Sequence, residues 1–106
     1  MINDIAGDIV TLKKLKKLRK NIESFRNRIS NIRCKELEQL AKSLGRKRIN
    51  RGGELTYESE LLPNSRVLTI PKHPGALNKY TAGNILDHLE QDIFELEENL
   101  EAINHG

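Results

Sequence analysis

RKRINRGGELTYE, residues 46–58, is the stretch that decides the fold. Arg46–Arg51 is short and basic, Gly52-Gly53 follows, and Glu54–Glu58 alternates polar and apolar. Glycine accepts the positive φ that a two-residue hairpin turn needs, so the stretch reads as strand, turn, strand. Glu54 stands directly after the turn, where a hairpin holds out a side chain. Downstream, the polar run 59–65 with Pro63-Asn64 makes a second turn. Arg66–Ile70 (RVLTI) is a third strand, the most β-prone run of the chain. His73 precedes a proline and so avoids helical geometry, which makes 72–75 a loop.

Helices flank this sheet. Leu15, Leu18, Ile22, Phe25, Ile29 and Ile32 step by 3, 4, 3, 4 and 3, the heptad pattern of a helix packed lengthwise on another. The first helix is expected over about 3–30. A second, about 34–44, carries Leu37, Leu40, Ala41 and Leu44 on one stripe and stops at Gly45. The last, about 81–103 with Thr81 as its cap, repeats the heptad steps through Leu86, Leu89, Ile93, Leu96, Leu100 and Ile103. Its length is roughly 35 Å at 1.5 Å per residue, too long to bury on three strands alone. Its far half needs another helix, and the first is the candidate.

Charge divides the chain. Residues 11–51 hold fifteen Lys and Arg against three acids, whereas 81–106 hold seven acids and no Lys or Arg. Hydrophobic residues are only 37% of the 106. So small and charge-rich a core buries little surface by itself. We therefore expect a homo-oligomer, with Leu15, Leu18, Ile22, Phe25, Ile29, Leu89, Ile93, Leu96 and Leu100 at its interface. No apolar run approaches a membrane span, and the N-terminus does not read as a secretory signal. Cys34 is alone, which fits a reducing compartment, and a cytoplasmic location is expected.

Residues 33 to about 92 resemble the HicA family, the toxin half of a prokaryotic toxin–antitoxin system. The likeness rests on the helix ending at Leu44-Gly45, the basic strand, the turn Gly52-Gly53-Glu54 and the Tyr57 strand. Above all it rests on VLTIPKHPG at 67–75, with Asn78-Lys79-Tyr80-Thr81 before the last helix. The resemblance implies an α+β fold of double-stranded-RNA-binding-domain type: a three-stranded antiparallel sheet with two helices on one face, in the order αβββα. It divides the chain into a helical extension, 1–32, the αβββα domain, 33–92, whose last helix runs on through 81–103, and a tail, 104–106. It implies mRNA cleavage by one catalytic histidine and neutralisation by a HicB-type antitoxin. That histidine would sit at position 54, where this chain has Glu54.

Histidine titrates near neutral pH and serves as acid and base; a glutamate would need a raised pKa and would repel the phosphate it approaches. The plain reading of Glu54 is a solvated residue at a strand start. His73 is the other catalytic candidate; its plain reading is a loop residue hydrogen-bonded to backbone. Arg46, Lys47, Arg48, Arg51, Lys72 and His73 form the expected RNA contact, since basic clusters meet phosphates and duplex RNA is read largely by shape. The Lys13–Lys20 cluster is expected to pair with the acidic last helix. No metal-ligand spacing and no cofactor motif is present. The expected function is HicA-like RNA binding without ribonuclease activity. The alternatives are a helical interaction module on the same scaffold and an active mRNA interferase using Glu54 or His73.

Overall fold

The computed structural model describes residues 10–51 and 54–105, with the side chains of Asn50, Arg51, Glu54 and residues 103–105 outside the described set. The expected glycine turn at 52–53, the expected start of the first helix at residue 3 and the heptad position Ile103 lie outside what is described.

Val10 and Thr11 are not helical, so the first helix does not run through from residue 3 as expected; Thr11, extended, opens it at Leu12. Its hydroxyl accepts from the Lys14 N–H at 3.1 Å, a cap that leaves one fewer orphan donor at the start of α1, Leu12–Asn27. Arg28 leaves helical geometry and ends α1 three residues before the expected boundary. The second helix, α2, is Cys34–Ser43. Glu36 reaches back to accept from the Arg33 N–H at 3.0 Å, steadying its first turn. At its end Gly45 takes φ +87°, the left-handed conformation that halts a helix. The Gly45 carbonyl then accepts from Glu60 N–H, closing the open end of the hairpin at the helix stop.

The sheet has the order β1-β2-β3, all antiparallel, from β1 (Arg46–Arg51), β2 (Glu54–Ser59) and β3 (Leu68–Ile70). Arg48 pairs with Tyr57 and Tyr57 with Leu68; Leu55 pairs with Ile70. Directly paired residues share a face, so Leu55, Tyr57, Leu68 and Ile70 line one side, and all four are buried beneath the helices. Thr69 points to the other side and is exposed. The α+β class and the helix-flanked antiparallel sheet are as expected. β3 is shorter than 66–70, because the Arg66 carbonyl is taken by a side chain of β1 instead of by β2.

The last helix, α3, spans Lys79–His105. Its cap is Asn78 rather than Thr81: the Asn78 side-chain oxygen accepts from Tyr80 N–H at 2.8 Å, which starts the helix two residues early. Twenty-seven residues make α3 about 40 Å long, close to the 43 Å long axis of the molecule. Its far half packs on α1. Leu15, Leu18 and Ile22 are buried with Leu89, Ile93 and Leu96 in one core, with Phe25, Ile29 and Leu100 packed at its margin.

The residues expected between chains are therefore used within one chain. Two heptad seams of the same chain cover each other, so their burial calls for no second copy. Arg19 pairs with Glu97 at 2.6 Å, and Arg26 with Asp87 and Glu90, both at 2.8 Å. Higher numbers on α1 meet lower numbers on α3, so the helices run antiparallel. Half-exposed ion pairs of this kind contribute about 0–1 kcal/mol each, while burying one leucine contributes about 1.5–3 kcal/mol. The apolar seam thus holds α1, and the charges favour its direction. The pairing expected of the Lys13–Lys20 cluster falls to Arg19 within it and to Arg26 beyond it.

Gly45 offers a direct check. A Cβ there would lie 2.5 Å from Leu61 Cδ1 on a backbone of positive φ. We expect Gly45→Ala to destabilise the fold by about 1–2 kcal/mol, read as a lowered urea midpoint. An unchanged midpoint would contradict the left-handed stop.

Candidate nucleic-acid interface

Arg46 does not join a phosphate-facing surface. Its side chain and that of Asp92 on α3 are 0% and 1% exposed. Nε meets Asp92 Oδ2 at 2.6 Å and Nη2 meets Oδ1 at 3.0 Å, a bidentate pair. Nη1 donates to the carbonyls of Tyr57 and Arg66 at 3.1 and 3.2 Å. Nη2 also reaches Ser65 Oγ and His88 Nε2, each at 3.0 Å. Guanidinium only donates, so His88 Nε2 accepts and the ring is neutral, with its proton on Nδ1. All five N–H groups of Arg46 find acceptors inside the protein, and none remains for RNA.

The other expected contacts fall at two ends of the sheet. Lys47 and Arg48 are exposed at the start of β1. They point to opposite faces, since Lys47 pairs with Glu58 and Arg48 with Tyr57. Arg51 and Glu54 are paired at the hairpin end. The loop after β3 arrives at that same end, because Ile70 pairs with Leu55, and Lys72 and His73 on it are exposed. The two ends lie roughly 16 Å apart, five residues at 3.3 Å. Arg51, Glu54, Lys72 and His73 therefore share a neighbourhood, which Lys47 and Arg48 do not.

The loop is well held. Leu77 N–H donates to the Ile32 carbonyl at 2.8 Å, and Arg33 bridges to Ala76. Cys34 Sγ lies 3.8 Å from the His73 carbonyl. The His73 Nδ1 accepts from Gly75 N–H at 3.1 Å, the backbone tie expected of a loop histidine. With Nδ1 accepting that bond, Nε2 is the ring nitrogen left to donate to a phosphate or a base edge. His88 and the buried Tyr57 carry shifted pKa values. The Tyr57 hydroxyl has no hydrogen-bond partner among the described residues. Burial, and then the Glu38 carboxylate that approaches without meeting hydrogen-bond geometry, push its pKa up to about 12. No cluster of His, Cys, Asp and Glu fit for a metal ion occurs among the described residues.

Sequence reading missed Asp92, His88 and Ser65 as partners of Arg46. One signal was available: Ile85, Leu89, Asp92 and Leu96 step by 4, 3 and 4, which places an acid on the buried stripe. An acid there requires a buried cation. Comparison with protein-family models, curated proteins and solved structures gives no match. Among the described residues no helix is long and apolar enough to cross a membrane.

The buried pair and its histidine are open to test. Asp92→Ala strands the Arg46 charge and is expected to cost about 3–5 kcal/mol, with Arg46→Met in the same chain restoring part of it; additive losses would contradict the pairing. The His88 pKa is depressed below its ordinary 6.5 by burial first and then by the Arg46 charge and by Arg66, against the opposing pull of Asp92. The unfolded chain therefore binds more protons near pH 6 than the native one. This stabilising contribution is present above pH 6.5 and is lost as pH falls from there through the depressed value. Glu36, held low chiefly by Arg28, acts only below its ordinary 4.5. We expect denaturation midpoints of the protein to fall between pH 7 and 5 more steeply than those of His88→Gln; parallel curves would refute the neutral-ring assignment.

Proposed function

We propose that this protein is an RNA-binding relative of the HicA toxins that does not cleave RNA, and that a HicB-type antitoxin is its natural protein partner. The observation that carries the reading is the hairpin end. The αβββα order brings the VLTIPKHPG loop to the strand pair that bears Glu54, the position which the resemblance gives to the catalytic histidine. Glu54 supplies no group that titrates near neutral pH unless its surroundings raise its pKa. His73 has its Nδ1 engaged and serves as a donor. Lys72, His73 and Arg51 contact the backbone of structured RNA, and Lys47 and Arg48 extend that contact toward the far end of the sheet.

A second reading, an interaction module, draws on Phe94 and Tyr80, which are 51% and 72% exposed on α3. In that reading the partner is a second copy, and the mass in solution by light scattering decides it: a monomer mass removes it.

The principal experiment incubates the protein with labelled duplex RNA at rising salt. Binding is expected to weaken with salt, each lost phosphate contact making the slope of log K against log salt shallower by about 1. Lys72→Ala is expected to bind more weakly and to show the smaller slope. No cleavage is expected from the native chain, while Glu54→His would restore it if only the catalyst is missing. Absence of binding at low salt overturns the RNA reading, and cleavage by the native chain overturns the claim of inactivity.

A further inference from the structure

A concavity of about 440 Å³ lies where α1, the end of α2 and the start of β1 meet. Lys14 of α1, Lys42 of α2, and Lys47 and Arg48 of β1 line it, with Glu60 as the only carboxylate among the described lining residues. Arg46 also borders it but is committed to Asp92.

The chain's close ion pairs do not include the cations of this cluster. Arg19, Arg26, Arg28 and Arg46 each meet a carboxylate at 2.8 Å or closer. The cleft's cations are left over: Lys47 reaches Glu60 only at 4.0 Å, and among the described residues Lys14, Lys42 and Arg48 pair with no acid. Three separate elements thus bring four cationic residues to the lining of one hollow, Lys47 and Arg48 from opposite faces of β1, with one acid among the described lining residues. Like charges gathered in a concavity repel one another and raise the local concentration of anions. A compact anion of several charges relieves that repulsion best. One phosphate group would leave most of the cations unanswered.

We propose that this cleft binds a run of consecutive phosphates, with the first helix supplying Lys14 as the closing wall. The chemistry is shared by the free polyphosphate of a nucleotide and by a stretch of RNA backbone. The cleft lies at the opposite end of β1 from Arg51, Glu54 and the His73 loop; it shares Lys47 and Arg48 with the proposed RNA contact, while Lys14 and Lys42 belong to the cleft alone, and it stands whether or not the hairpin end binds RNA. α1 does more here than cover α3: its first turn completes an anion site that α2 and β1 alone leave open.

Calorimetric titration of the full chain at low salt tests this with sodium tripolyphosphate, ATP, adenosine and an RNA duplex of about 16 base pairs. Two double variants are compared, Lys14→Gln with Lys42→Gln in the cleft and Lys72→Gln with His73→Ala at the hairpin end. Tripolyphosphate and ATP are expected to bind the native protein and the hairpin-end variant equally, and the cleft variant at least about tenfold more weakly, about 1.4 kcal/mol; adenosine is expected not to bind. Lys14→Arg, which keeps the charge, is expected to retain binding, and helicity by circular dichroism checks that each variant folds. If the duplex also loses affinity in the cleft variant, the phosphates are those of RNA; if only tripolyphosphate and ATP do, they are those of a nucleotide. Failure of tripolyphosphate to bind the native chain, or equal binding by the folded cleft variant, overturns the proposal. RNA binding lost only in the hairpin-end variant bears on the RNA reading and leaves the cleft untouched.

Discussion

One buried ion pair holds the parts of this molecule in place. Arg46 is the first residue of the sheet, and its guanidinium reaches α3 at Asp92, β2 at the Tyr57 carbonyl, and the approach to β3 at Arg66 and Ser65. A buried pair of this kind gains little net stability over apolar residues of similar size, because both charges have left water. Its effect lies in geometry. A helix slipped or turned by one residue would move Asp92 off the guanidinium and leave two charges buried without partners, which is far more costly than the pair is favourable. The position of α3 over the sheet follows from that penalty, and the α1–α3 seam follows from the position of α3.

Charge elsewhere divides between structure and surface. The arginines of α1 meet the acids of α3, and Arg28 meets Glu36 at the entry to α2. Among the described residues the lysines make no ion pair closer than that of Lys47 with Glu60 at 4.0 Å. Arginine's fixed fork suits carboxylates, while lysine is a mobile and strongly hydrated point charge. The division therefore matches each side chain to its setting. It also produces two basic regions at opposite ends of one short strand, where the linear sequence shows a single cluster.

Much of the fold was legible beforehand. Alternation in Glu54–Ser59, the stop at Gly45 and the heptads of both long helices are local patterns; the strand and α2 formed close to their expected bounds, whereas the first helix begins at Leu12 rather than near residue 3. The departures have physical causes. Asn78 rather than Thr81 caps α3, because either side chain can serve and the loop clamped by the Leu77–Ile32 hydrogen bond decides which one does. β3 begins at Leu68 because a distant guanidinium takes the Arg66 carbonyl. Of the expected nucleic-acid contacts, Lys47, Arg48, Lys72 and His73 are exposed and Arg46 is not, and no local pattern separates Arg46 from Arg48 on the same face of the same strand.

The sequence by itself determined the kinds of element, their order and the need of each heptad face for an apolar partner, because periodicity and chain stops act over a few residues. Tertiary structure alone decided that both seams would meet within one chain, that Arg46 would be a core residue, and that Lys14 would stand beside Lys42 and Lys47. Such outcomes depend on which distant group arrives to desolvate or to satisfy a side chain. A strand residue carries no mark of that arrival until the helix carrying Asp92 has been laid across it.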